Sequence, residues 1–118
     1  MFTEKRQTPR VNTHIVAEMK VSDDSERLCA YIENLSEKGM GIISLDAFEK
    51  GTSLNSHFFI PGTVTKVCPK ASVLDSKNTV HNIYYHSLCF DSLSATDREA
   101  INQYVRTNES IGANSGRV

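Results

Sequence analysis

Val11-Asn12-Thr13-His14-Ile15-Val16-Ala17-Glu18-Met19-Lys20-Val21 decides the fold class. Val11, Thr13, Ile15, Ala17, Met19 and Val21 fall on one face, and Asn12, His14, Glu18 and Lys20 on the other, with Val16 the exception. A period of two over this length marks a half-buried β-strand. Ser22-Asp23-Asp24-Ser25 follows, and such short oxygen-bearing side chains favour a turn because they bond their own backbone. A second strand from about Arg27 to Glu33 places Leu28, Ala30 and Ile32 together, so the two strands read as an antiparallel hairpin.

The rest of the chain continues in the same idiom. Asn34 to Gly39 interrupts, and Met40 to Ser44 returns as a short apolar strand. Leu45 to Gly51 reads as a loop, and Leu54 to Ile60 as a fourth strand ended by Pro61-Gly62. Val64 to Leu74 reads as a fifth strand with Pro69 inside it, which calls for a bulge or an edge because proline cannot donate to a ladder. Asp75-Ser76-Lys77-Asn78 is predicted to turn the chain into a sixth and longest strand, Thr79 to Phe90. One helix follows, with Ser94 as its cap, Asp97 near its positive end and Ala100, Ile101, Tyr104 and Val105 along one face. Thr107 to Val118 is rich in Gly, Ser and Asn and is predicted to be a frayed, disordered tail. The expectation is an all-β fold, a six-stranded antiparallel barrel with one C-terminal helix over residues 11–106, preceded by a flexible arm over 1–10.

Composition bounds the function. The chain has 118 residues, enough for one domain with a core, and its 39% hydrophobic and 23% charged residues are ordinary for a soluble globular protein. A net charge of −1 disfavours duplex DNA as a partner, because a broad basic surface is what neutralises phosphates. Three cysteines, Cys29, Cys68 and Cys89, form neither a disulfide framework nor zinc spacing; lying in strand-like runs, they are expected to be small buried apolar side chains. No apolar run reaches membrane-span length and no signal-peptide pattern opens the chain, so membrane insertion is not expected and cytoplasm is the expected location.

Two stretches carry chemistry. In Arg6-Gln7-Thr8-Pro9-Arg10, Pro9 keeps the segment irregular, and two guanidiniums sit four positions apart just before the first strand. Arginine offers a planar fork that grips phosphate or the acceptor edge of guanine, although a solvated charged arm has the same composition. In Asn34-Leu35-Ser36-Glu37-Lys38-Gly39, between two strands, Asn34 has an oxygen that accepts from guanine donors and Ser36 a hydroxyl that can donate to phosphate. Gly39 permits positive φ and close approach of a ligand. Read alone, this stretch is equally a plain turn in which Asn and Ser bond their own backbone.

Together the two stretches resemble the signature of the PilZ domain family, Arg-x-x-x-Arg followed by [Asp/Asn]-x-Ser-x-x-Gly, with one hairpin between them. Leu88-Cys89-Phe90 and the helix near Asp97 to Val105 are similar to the family's closing strand and helix, so the resemblance spans roughly residues 5 to 106. It implies a receptor for the bacterial messenger cyclic di-GMP and no enzymatic activity or cofactor. Arg6 and Arg10 would grip phosphate and guanine, Asn34 and Ser36 would meet the other side of a guanine, and Gly39 would keep the rim open. Lys5, Gln7 and Lys38 would be secondary contacts. Ligand is expected to order the Arg6–Arg10 loop, and, because no second domain is read in the sequence, the signal is expected to pass to a separate protein, such as a flagellar, pilus or polysaccharide-synthesis component. The chain departs from the pattern in having Asn34 where many members carry aspartate, no tryptophan near Val67, and Ser87 in place of a common glycine.

Three other classes compete. A PilZ-like adaptor that ignores nucleotide would act only through protein contacts. An oligonucleotide-binding barrel needs aromatics on one face, whereas Phe58-Phe59 and Tyr84-Tyr85 are adjacent pairs that split across a strand. An enzyme is the least supported, since His81 and His86 fall on opposite faces of one strand, His14 and His57 lack partner motifs, and Ser36 lacks a nucleophile elbow.

Overall fold

The computed structural model describes residues 10–21 and 26–115, with side chains described as far as Glu109. Seven strands and one helix follow in order: β1 (Arg10–Lys20), β2 (Leu28–Ser36), β3 (Gly39–Ser44), β4 (Ser53–Phe59), β5 (Lys66–Val67), β6 (Lys70–Val80), β7 (Ile83–Ser92) and α1 (Ala95–Ser115). The sheet runs β1-β2-β3-β7-β6-β4-β5, and a further antiparallel pairing of β1 with β4 returns the sheet on itself. Six strands thus make the ring, and β5 hangs on β4 as an appendage.

The alternation of β1 dictates its burial. Val11, Thr13, Ile15, Ala17 and Met19 are buried while the residues between them face out, including Val16. Their inner row meets Ala30, Ile32 and Leu35 of β2, Met40 and Ile42 of β3, Leu54 and Phe58 of β4, Ala71 and Val73 of β6, and Leu88 of β7. Ile101 and Val105 complete this core from α1, with Ala100 and Tyr104 beside them, as the helical stripe predicts. Ser94 caps α1 by accepting the Asp97 amide at 3.0 Å, and the Asp97 carboxylate accepts the Cys68 amide at 3.0 Å.

The expected interruption at Asn34–Gly39 shrinks to Glu37-Lys38, because β2 runs on to Ser36 and β3 begins at Gly39, and the structure departs from the sequence reading in four further places. The predicted fifth strand is two: Pro69 separates β5 from β6, and its carbonyl accepts from the Ser56 amide and hydroxyl instead. The expected turn at Asp75–Asn78 is ladder, with Ser76 opposite His86 and Lys77 opposite Tyr85. The reversal is made by His81 and Asn82, both at positive φ (37° and 67°), the two-residue loop whose twist suits a hairpin. The stretch looks like a turn because it is polar, yet β6 is exposed there, so polar side chains stay solvated in the ladder, and the Ser76 hydroxyl lies 2.6 Å from His86 Nδ1. Buried His86 donates from Nε2 to the Asp46 carbonyl at 3.0 Å, a satisfied core histidine.

The third departure is α1, which runs on to Ser115 through the region predicted to fray from Thr107. No proline interrupts it, and its one glycine there, Gly112, costs a helix only about 1 kcal/mol. The fourth concerns cysteine: Cys29 and Cys68 are exposed and Cys89 is half-buried, all three free. Cys29 takes the outward phase of β2 opposite Glu18, and Cys68 lies between β5 and β6. The predicted turn at Ser22–Ser25 lies outside the described residues.

Candidate functional site

Register brings the two sequence stretches together. In the β1–β2 ladder Arg10 stands opposite Ser36 and Asn12 opposite Asn34, so the first residue of β1 meets the end of β2 at one rim of the ring. Arg10 Nη1 donates to Asn34 Oδ1 at 3.3 Å, and Asn34 Nδ2 donates to the Tyr85 hydroxyl at 3.2 Å. A guanidinium only donates, so the amide must turn its oxygen to Arg10 and its N–H groups toward Tyr85. Arg10 Nε is buried and has no partner among the described residues, an unmet donor beside Asn34's remaining acceptor capacity.

Ser36 is buried and serves the turn. Its hydroxyl donates to the Gly39 carbonyl at 3.1 Å and accepts the Lys38 and Gly39 amides at 3.2 and 3.1 Å. One donor and two acceptor positions are then filled, so the expected donation to phosphate has no proton to use in this arrangement. Ser36 thus makes the hydrogen bonds of a turn, while Asn34 points to other strands. Lys38 is exposed, and its carbonyl accepts from the Phe90 amide at 2.9 Å.

Gly39 also has a different reason from the one its turn position implied. It is not among the positive-φ glycines, which are Gly51 and Gly62. It is buried, and a Cβ there would lie 2.1 Å from the Leu88 carbonyl oxygen, so its bareness admits β7. Gly41, which neither motif contains, plays a parallel part: a Cβ there would lie 2.1 Å from the Tyr85 hydroxyl and 2.6 Å from Asn34 Nδ2. Only glycine leaves room for the Asn34–Tyr85 bond across β3. Tyr85, weighed in the sequence only as half of an adjacent aromatic pair, carries no sign there that its hydroxyl reaches Asn34 on β2.

Arg6, Lys5 and Gln7 lie outside the described residues. Among the described residues, no group of three His, Cys, Asp or Glu is placed to hold a metal ion. No helix among them is long and apolar enough to cross a membrane. A cleft of about 520 Å³ between Ile60–Thr63 and α1 is lined without any Arg, Lys, Asp or Glu among the described residues, and neither Arg10 nor Asn34, Ser36 or Gly39 lines it.

No curated protein sequence gives a significant match. Among solved structures, Bacillus subtilis MotI/DgrA, an inhibitor of motility, superposes with a TM-score of 0.76 at 20% identity, covering 92% of this chain and 53% of that one. The PilZ domain of Escherichia coli YcgR with c-di-GMP gives 0.72 at 15% identity, covering 98% of this chain and 100% of that one. The K. pneumonia MrkH–c-di-GMP complex gives 0.76 at 13% identity, covering 98% and 57%. This chain therefore spans little more than half of MotI and MrkH and the whole of the YcgR domain. At these identities the likeness establishes the fold, a mostly antiparallel β ring with one C-terminal helix. The family model for the PilZ domain matches residues 4–107, nearly the whole length, and the chain belongs to the PilZ domain family.

Proposed function

We propose that this chain is a receptor for cyclic di-GMP, binding it without making or breaking a covalent bond. The observation that carries this reading is the Arg10–Asn34 contact, which joins the two family motifs on one rim. Arg10 brings a donor fork for phosphate or guanine, and Asn34 an oxygen with a lone pair to spare for a guanine N–H. Arg6, with Lys5 and Gln7, closes over the ligand from the arm preceding β1, ordering it. Ser36 and Gly39 shape the turn and the β3–β7 approach that hold Asn34 in place, and Lys38 adds a nearby cation.

The two YcgR and MrkH structures with c-di-GMP support the same ligand class by family. The ordered arm then offers a new surface to a separate protein, a flagellar, pilus or polysaccharide-synthesis component, in the cytoplasm. Duplex DNA is not part of this reading, since the net charge is −1. The test is calorimetric titration of the protein with cyclic di-GMP, with GTP and cyclic di-AMP as controls. Saturable heat with cyclic di-GMP alone is expected; silence at millimolar ligand would leave the protein-only adaptor as the better reading.

A further inference from the structure

The outer face of the ring beside Asn34 holds a second set of groups that neither motif contains. Ile32 and Leu35 of β2 are fully buried, yet the two residues between them, Glu33 and Asn34, both lie toward the outside. The cause is a β-bulge: the β2–β3 register passes from Ile32 opposite Ile42 to Asn34 opposite Gly41, leaving Glu33 as the extra residue. An uninterrupted strand would send residues 33 and 34 to opposite faces, whereas a bulge re-aims one of them. A carboxylate therefore stands next to the Asn34 amide on the same surface.

That surface is a trough of about 540 Å³ lined by Glu33, Ile43, Lys77, Thr79 and Tyr85. Ile43, Tyr85 and Lys77 are direct cross-strand partners on β3, β7 and β6. Ile43 and Tyr85 make its floor, Glu33 one wall, and Lys77 with Thr79 the other. Three strand spacings separate the walls, roughly 14 Å between backbones. Neither forms an ion pair among the described residues. The Thr79 hydroxyl is already spent on the Ile83 carbonyl at 2.9 Å. Tyr85 belongs to both places, its ring on the floor and its hydroxyl bonded to Asn34.

We propose that this trough is a second base subsite, in which Glu33 reads the guanine of the cyclic dinucleotide that Asn34 does not hold. The inference rests on the cyclic di-GMP reading above. A carboxylate accepts two parallel N–H bonds from the ring N1–H and exocyclic amine of guanine, a pairing that fits both partners. Adenine presents one donor and one lone pair along that edge, and the lone pair meets a carboxylate oxygen. The floor gives the base an aromatic and an aliphatic face to lie on. Lys77 supplies a cation to an acceptor of the base or to a phosphate, as a compact point charge.

The test uses three ligands, cyclic di-GMP, cyclic di-AMP and the mixed cyclic GMP–AMP, titrated into the wild type, Glu33→Gln and Lys77→Ala. Both side chains are exposed, so folding is unaffected and thermal melts check this. The wild type is expected to prefer cyclic di-GMP to the mixed ligand by about tenfold or more, and Glu33→Gln to bring that ratio to within about threefold by weakening cyclic di-GMP. Lys77→Ala is expected to weaken cyclic di-GMP and the mixed ligand alike. A Glu33→Gln variant that keeps both its affinity and the wild-type ratio overturns the subsite while leaving the receptor reading intact. A wild type that binds none of the three overturns the receptor reading itself.

Discussion

Asn34 on β2 donates an amide N–H to the Tyr85 hydroxyl on β7 at 3.2 Å, reaching across the bare position of Gly41 on the strand between them. With Arg10 donating to the opposite end of the same amide, three strands fix which atom of Asn34 is left to face a ligand. The rim is thus set by a glycine that neither motif names.

The two glycines of β3 are expected to fail in different ways. A methyl at Gly39 meets the Leu88 backbone at 2.1 Å, which cannot move without opening the β3–β7 ladder. Gly39→Ala should therefore lower folding stability by about 2 kcal/mol or more. A methyl at Gly41 meets the far end of the Tyr85 side chain at 2.1 Å, which can swing away at the expense of its bond to Asn34. Gly41→Ala should lose about 1 kcal/mol or less but bind cyclic di-GMP severalfold more weakly. Denaturant melts and calorimetry on the pair separate the two effects.

Ser36→Ala removes the acceptor of two backbone amides and the donor to a third group within one tight turn. The amide of buried Gly39 would be left without its partner, so a stability loss of about 1–3 kcal/mol is expected from chemical denaturation. A Ser36→Thr variant that retains the hydroxyl geometry should recover part of it.

Asp97 joins α1 to the linker between β5 and β6 through the Cys68 amide, while Ser94 caps the helix through the Asp97 amide. Ser94→Ala should cost about 1 kcal/mol in thermal or denaturant unfolding. Hydrogen exchange should show the Cys68 amide losing protection in Asp97→Ala and keeping it in Ser94→Ala.

Burial at the helix–barrel contact raises the Tyr104 phenol above its usual range, because a phenolate there would be desolvated. The folded state therefore holds this proton more tightly than the unfolded chain. The stabilisation is fully present below the unfolded value of about 10 and is lost as pH rises through the raised folded value. Stability should decline above about pH 10 and decline less steeply in Tyr104→Phe, as followed by denaturation midpoints against pH.

The alternation of residues 11–20 made the first strand legible, although Val21, expected on its inner face, lies past the strand and is exposed; the stripe of Ala100, Ile101, Tyr104 and Val105 made the helix legible, because each carries the period of its own backbone. The end of β6 was not legible. Asp75, Ser76, Lys77 and Asn78 are turn formers by composition, and what keeps them in a ladder is pairing with β7 and the Ser76–His86 bond, both remote in sequence. Asn34 and Arg10 were legible as chemistry because they sit in short motifs. Tyr85 and Gly41 acquire their roles only when β3 and β7 are placed beside β2. Glu33 depends on a bulge, and an extra residue in a strand has no signature in composition or period.

The central claim is that the Arg10–Asn34 rim holds the dinucleotide, and the most direct measurement is calorimetric titration of Arg10→Ala beside the wild type with cyclic di-GMP. The wild type should saturate, and the variant, with an unchanged circular dichroism spectrum, should bind about ten- to a hundredfold more weakly or give no heat. Equal affinity in the two proteins would contradict the placement of the ligand on this rim.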